Sequence, residues 1–294
     1  ILSCCNSLAG SAGTWACKLK QLKDLRRLEF RNCSLQITDI KYIAESVSDM
    51  PNLVELNVSD NKSLGGSGTL WAHLQCLKHI QVLGLRTCLL KGEDVKCIAA
   101  TLKEVPTCAL TQLNLSGNES LGGLAGSWAP AIQQMKHLHK LDLSKCSMKG
   151  DDIKYIGKTT LAAGEDVKQI DIPTLTELNL SGNPALGGSG ALWAHSPCMK
   201  HLKKLDVSSC SLTGEDVKLI DIPTLTKLNL SGNPDLGGSG ALAHSPCMKH
   251  LKKLDVSSCS LTGEDVEQIV ISQDVLPSLD ELRLASNKSL GGSG

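Results

Sequence analysis

The residues with most obvious chemical potential are histidines and cysteines that recur together. HSPCMKH stands at 195–201 and again at 244–250, so each copy sets three nitrogen and sulfur donors at helical intervals. A zinc ion there would need a fourth ligand and a deprotonated Cys198 or Cys247. The motif recurs because a longer segment does: residues 164–216 and 214–266 are nearly the same text. An earlier copy has Gln133 and Gln134 in that region and no cysteine. Copying therefore accounts for the donors, and neither a metal site nor a cofactor is assigned. The glycine loops SLGGSG and ALGGSG would suit a phosphate, but no Gly-Lys-Ser/Thr follows and LGGSG occurs four times, so they read as turns. Ser, Cys and His form no constellation for nucleophilic catalysis beyond what copying explains. No catalytic residue is assigned, and the expected function is non-enzymatic.

What positions side chains here is a leucine pattern. LTELNLSGN from Leu175 is followed by LKKLDVSSC from Leu202, and versions of both recur along the chain. In LxxLxL the last two leucines alternate with polar residues at period two, the pattern of a short strand with one buried face. Units open at Leu25, Leu53, Ile80, Leu110, Leu138, Leu175, Leu202, Leu225, Leu251 and Leu279, in steps of 23 to 37 residues. They alternate between a type ending in Cys (Cys33, Cys88, Cys146, Cys210, Cys259) and a type ending in Asn. One unit cannot bury its own apolar face, so copies must stack. The Asn or Cys three positions past the strand is placed to satisfy backbone groups where the chain turns.

After each Cys-type strand, Gly-Glu-Asp-Val or a relative opens a helix, because acceptors and negative charge suit its free amides. In ITDIKYIAESV the expected cap is Thr38. After each Asn-type strand, the glycine loop leads into a shorter outer helix carrying Trp71, Trp128 or Trp193 at one phase, which points to packing. The copy from Leu225 lacks this Trp, which predicts a thinner core there. Two helix openings in series between Leu138 and Leu175 predict an extra turn or loop. The short step from Leu202 to Leu225 predicts reduced curvature. The expected organisation is one solenoid over 1–294, about ten strand units, cut within a repeat at both ends.

Polar residues flanking the strand leucines must face away from the core, and they form the default recognition surface. Variation is greatest in the N-terminal part, so the candidate ligand-binding residues are Arg27, Glu29, Arg31, Glu55, Asn57, Val82, Gly84, Arg86, Gln112, Asn114, Lys140 and Asp142. Val82 and Gly84 are expected to open room. In the copied C-terminal half, neighbouring lysines and aspartates read equally well as pairs that keep an exposed sheet soluble.

The chain of 294 residues carries 30 basic and 30 acidic residues, which gives no electrostatic reason to expect nucleic acid or an anionic membrane. Aromatics are 2%, so the core must be aliphatic. No apolar run approaches the roughly 18 residues of a membrane span, and the start lacks signal-peptide order. Of 13 cysteines, five share one repeat position; a buried row of thiols and an odd total point to a reducing compartment. N-x-S sites at Asn57, Asn114, Asn179 and Asn229 would put glycans across the recognition face, which fits a secreted protein poorly.

The alternation of LxxLxLxxCxL with LxxLxLxxNxxLG resembles the ribonuclease-inhibitor class of leucine-rich repeats, found also in the sensor region of nucleotide-binding, leucine-rich-repeat (NOD-like) immune receptors. The resemblance covers essentially the whole chain. It implies an α/β solenoid, a curved horseshoe with parallel strands on the concave face and helices on the convex face. It also implies cytoplasmic binding of a protein or microbial ligand on the concave face, as in an innate immune receptor. The alternative it implies is an inhibitor or scaffold that wraps a target enzyme, and a plain structural spacer is a third reading. The uncapped ends point to self-association.

Overall fold

The computed structural model describes residues 2–105, 109–157, 174–190, 199, 201–271 and 277–290. They fall into two compact units, 1–146 and 147–294. In the first unit six strands follow one another: β1 (Leu2–Ser3), β2 (Arg27–Arg31), β3 (Glu55–Asn57), β4 (Val82–Gly84), β5 (Gln112–Asn114) and β6 (Lys140–Asp142). Each pairs in parallel with the next in sequence. The second unit repeats the plan with β7 (Glu177–Asn179), β8 (Lys204–Asp206), β9 (Lys227–Asn229), β10 (Lys253–Asp255) and β11 (Glu281–Arg283).

The leucine spacing sets the register. Leu28, Leu56, Leu83, Leu113 and Leu141 lie side by side across β2 to β6, and all are buried. Behind them Phe30, Val58, Leu85, Leu115 and Leu143 form a second inner row. Burying each such side chain contributes about 1.5–3 kcal/mol, and a one-residue slip would turn both rows to water.

Helices Ile37–Val47, Gly92–Lys103 and Gly150–Gly157 follow the Cys-type strands of the first three pairs, and Gly214–Lys218 and Gly263–Ile271 follow those of the last two. Thr38 is not the cap of the first. That helix starts two residues earlier, at Ile37 after Gln36, and Asp39 at its third position accepts the Gln36 N–H at 2.9 Å. Trp71 and Trp128 are fully buried, as their shared phase predicts; Trp193 lies outside the described residues. In the copy without Trp, two 3-10 turns, Ala241–His244 and Pro246–His250, still bury Ala241, Leu242, Cys247 and Met248. Most of the stretch where an extra turn was expected, 158–173, also lies outside the described residues.

Three buried polar rows tie repeat to repeat. Asn61, fully buried, accepts the N–H groups of Cys33 and Leu35 at 2.9 and 3.0 Å and donates to Phe30 and Val58 carbonyls, both at 2.7 Å. Asn118, Asn233 and Asn287 repeat this. The thiols of Cys88, Cys146, Cys210 and Cys259 each reach a carbonyl of the preceding unit at 3.1–3.4 Å. Burial pushes the Cys88 and Cys146 thiols up to about 12 and Cys210 up to about 11.

The third row is aspartate. Asp94, fully buried, accepts the amides of Gly66 and Gly68 from the preceding glycine loop, both at 2.7 Å, the Lys91 amide at 2.8 Å and the Trp71 indole at 3.2 Å. Asp39, Asp216 and Asp265 hold their preceding loops the same way. The glycine loop is thus a docking strip for the next helix. Its first glycine admits no side chain: a Cβ on Gly65 would lie 1.9 Å from the Leu89 carbonyl oxygen. Its second, Gly66, has φ +75°, the left-handed region that glycine enters without penalty.

Candidate ligand-recognition surface

The strand residues flanking the buried leucines all lie on the sheet face turned away from the core, and their side chains do not behave alike. In register, Arg27, Glu55, Val82, Gln112 and Lys140 form one row, and Glu29, Asn57, Gly84, Asn114 and Asp142 the next. Arg27 gathers Glu29 and Glu55: its Nε donates to Glu29 at 2.7 Å and lies 3.2 Å from a Glu55 oxygen. The Glu29 hydrogen bond and then the Glu55 charge raise the Arg27 pKa above its ordinary value. Glu29 itself is only 4% exposed. The expected contact residue is a buried brace under Arg27, covered by the guanidinium it neutralises.

Gly84 does not open room as expected. The Asn57 side chain lies over it, and a Cβ there would meet Asn57 Oδ1 at 2.6 Å. Asn57 and Asn114 also accept the amides of Ser59 and Ser116 two residues on, at 3.0 and 2.9 Å, so their carboxamides cap the strand ends. Asp142 does the same for Ser144, through its amide at 3.0 Å and its hydroxyl at 2.7 Å. Val82 is half-buried, while Gln112 and Lys140 are exposed.

Beyond the strand ends, Arg31 reaches Asp60 at 3.1 Å. Arg86, by contrast, is exposed, and among the described residues its guanidinium has no carboxylate partner. Between Arg31 and Arg86 in the third row sits Ser59, which is buried and accepts the Arg86 amide at 3.1 Å; Ser116 is buried too.

The second unit presents a plainer face. Lys204 pairs with Glu177 and Lys253 with Glu281 across neighbouring strands. Arg283 binds Glu281 at 2.7 Å and approaches Asp255 at 3.9 Å. Hydrogen bonds from Lys253 and Arg283 lower the Glu281 pKa. Lys227, between Lys204 and Lys253 in register, is exposed without a carboxylate partner among the described residues. Apart from Lys227, this is the solubilising Lys–Asp/Glu arrangement, in which each exposed pair contributes about 0–1 kcal/mol.

The metal-like motif disperses on folding. In the described copy Cys247 is buried, with its sulfur 3.2 Å from the Ser245 hydroxyl and its thiol pushed up to about 11 by burial, while His244 and His250 are exposed. Residues 195–198 of the first copy lie outside the described residues.

With strand, turn and helix recurring under a buried Asn–Cys–Asp lattice, the comparison with known families is direct. A family model described as leucine-rich repeat matches residues 49–69, 172–192, 198–220, 222–243 and 247–270. Those five segments are similar to leucine-rich repeats. The chain is an α/β leucine-rich-repeat solenoid of parallel strands and outer helices, and similar solved structures share that fold. The leucine-rich repeat-containing protein LegL7 from Legionella pneumophila superposes with a TM-score of 0.60 at 16% identity, over 96% of this chain and 91% of that one. A chain from a TLR13–ssRNA13 complex gives a TM-score of 0.55 at 16% identity, over 94% of this chain. The chain spans only 34% of the length of that TLR13-complex chain. No described helix is long and apolar enough to cross a membrane.

Two features of the surface were missed from sequence. The burial of Glu29 accompanies its hydrogen bond from Arg27, and the Arg27–Glu29 spacing was the only signal. The aspartate docking of each glycine loop was signalled by Asp at the third helical position of every GEDV, read before only as a favourable charge.

Proposed function

We propose that this leucine-rich-repeat chain is a non-enzymatic recognition module that binds a protein or microbial ligand on the open sheet face of its N-terminal unit. One observation carries the reading: that face is non-repeating and includes an exposed arginine with no carboxylate partner among the described residues. A surface needing only solubility could repeat Lys–Glu pairs, as the second unit largely does. The first unit instead sets Arg27, Glu55, Val82, Gln112 and Lys140 in one row, and Arg86 beyond it has no carboxylate partner among the described residues. Arginine heads of this kind are enriched among the residues that dominate binding energy.

The finer reading is a cytoplasmic sensor domain of an innate immune receptor. It is supported by the strict alternation of Cys-type and Asn-type units and by a row of thiols bonded to backbone carbonyls rather than to one another.

The test is capture from host extract and from a panel of microbial proteins, glycans and nucleic acids, comparing the chain with Arg86→Glu and with Lys227→Glu as a matched reversal in the second unit. A partner lost with Arg86→Glu and kept with Lys227→Glu supports the proposal. Loss with Lys227→Glu alone moves the site to the second unit. Captured enzymes that lose activity on binding would favour the inhibitor role.

A further inference from the structure

The asparagine row has one substitution. Residues 2–10 align with 58–66, which puts Cys5 at the position held by Asn61, Asn118, Asn183, Asn233 and Asn287. The pairing of Leu2 with Phe30 and Ser3 with Arg31 continues through a 3.0 Å bond from the Cys4 amide to the Arg31 carbonyl, so Cys5 lies across from Cys33. Elsewhere each thiol of the cysteine row faces an asparagine of the preceding unit, as Cys88 faces the Asn61 backbone. Here a second thiol, Cys5, takes the place of the asparagine across from Cys33. Neighbouring strands run about 4.8 Å apart, inside the roughly 4.4–6.8 Å Cα separation that a disulfide spans. Cys5 is half-buried and Cys33 buried, so an oxidant in solution reaches Cys5 first.

We infer that Cys5 and Cys33 are an oxidation site, a thiol pair that closes to a disulfide when the chain meets a peroxide. The Cys5 thiolate attacks one peroxide oxygen and the O–O bond breaks. Cys5 becomes a sulfenic acid, and the departing hydroxide takes up the proton that Cys5 lost, forming water. The Cys33 sulfur then displaces the sulfenic hydroxyl, which leaves with the Cys33 thiol proton as a second water. Two electrons pass from the two sulfurs to the peroxide. The link clamps β1 to β2 around Arg31, whose carbonyl already accepts both the Cys4 amide and, at 3.4 Å, the Cys33 thiol. Oxidation is thereby coupled to one end of the proposed recognition face.

The experiment treats the full chain with hydrogen peroxide, digests it with trypsin without reductant and analyses the peptides by mass spectrometry. The expected product is peptide 1–18 joined to peptide 32–41 with the loss of two hydrogens, reversed by dithiothreitol. Cys4→Ser and Cys17→Ser retain it. Cys33→Ser and Cys5→Asn abolish it, and Cys5→Asn restores the residue used in every later Asn-type unit, so that loss cannot be laid to misfolding. A cross-link that survives Cys5→Asn, or a wild-type chain that yields Cys5 sulfinic acid with no cross-link, overturns the proposal. Neither result bears on ligand capture, so this inference and the recognition reading fail separately.

Discussion

Replacing Asn118 by alanine should be among the most damaging single changes in the first unit. Its side chain is fully buried and makes four bonds to backbone: from Cys88 and Leu90 amides, both at 3.0 Å, and to Leu85 and Leu115 carbonyls at 3.0 and 2.7 Å. Leu115 keeps a second partner in the Cys146 thiol at 3.2 Å, so its carbonyl suffers least. The two amides lose the acceptor they share, and each buried donor left unpaired costs about 1–3 kcal/mol. Water entering the small void offsets part of this, which sets the expected loss at about 3–5 kcal/mol. Asn114→Ala is the control, since that half-exposed side chain caps only the Ser116 amide, and its cost should stay near or below about 1 kcal/mol. Urea unfolding followed by circular dichroism measures both. If Asn118→Ala and Asn114→Ala prove equally mild, the buried asparagine row does not hold the repeats together.

Three further outcomes follow from the same lattice. Leu89 is 52% exposed yet sits at φ +54°, where a leucine is strained; Leu89→Asn should raise stability by about 0.5–1 kcal/mol, read as a higher urea midpoint. Burial raises the Asp265 pKa, but the Thr262, Gly238 and Gly240 amides and the Thr262 hydroxyl outweigh it and leave the pKa below its ordinary value. Its folded pKa lies under the unfolded value of about 3.9. Its stabilisation is therefore complete above that pH and lost as pH falls through the folded value; Asp265→Asn should lower the urea midpoint near pH 7 and flatten its acid dependence. Iodoacetamide at about pH 8 should label exposed Cys4 and Cys17 well before Cys88, Cys146 and Cys210, whose thiols stay protonated, and peptide mass mapping would show the order.

The sequence showed what depends on a single unit. Leucine spacing placed Leu28, Leu56 and Leu83 in register because a strand's two faces are fixed by period two, and the shared phase of Trp71 and Trp128 marked them as core. Asn61 was legible as a residue that satisfies turning backbone, since an asparagine recurs three positions past the strand where the chain turns. What escaped depends on contact between units. Asp94 looks like a helix cap until the preceding glycine loop lies against it. Glu29 looks exposed until Arg27 folds over it, and Gly84 looks like open space until Asn57 fills it. Thr87 and Ser34, at φ +51° and +55°, show no left-handed signal in their residue types, because the hydrogen bonds of the next unit impose the turn. For the surface, the row of variable positions could be read directly, but which charges remain unpaired could not.

The central claim is that ligand is held on the open face of the first unit. The most direct measurement is the affinity of a captured partner for the chain, for Arg86→Glu and for Lys227→Glu, by titration calorimetry at matched salt. A loss of at least about tenfold, or 1.4 kcal/mol, confined to Arg86→Glu is the predicted result. Equal affinities for all three would contradict it and remove the N-terminal sheet face from the account of binding.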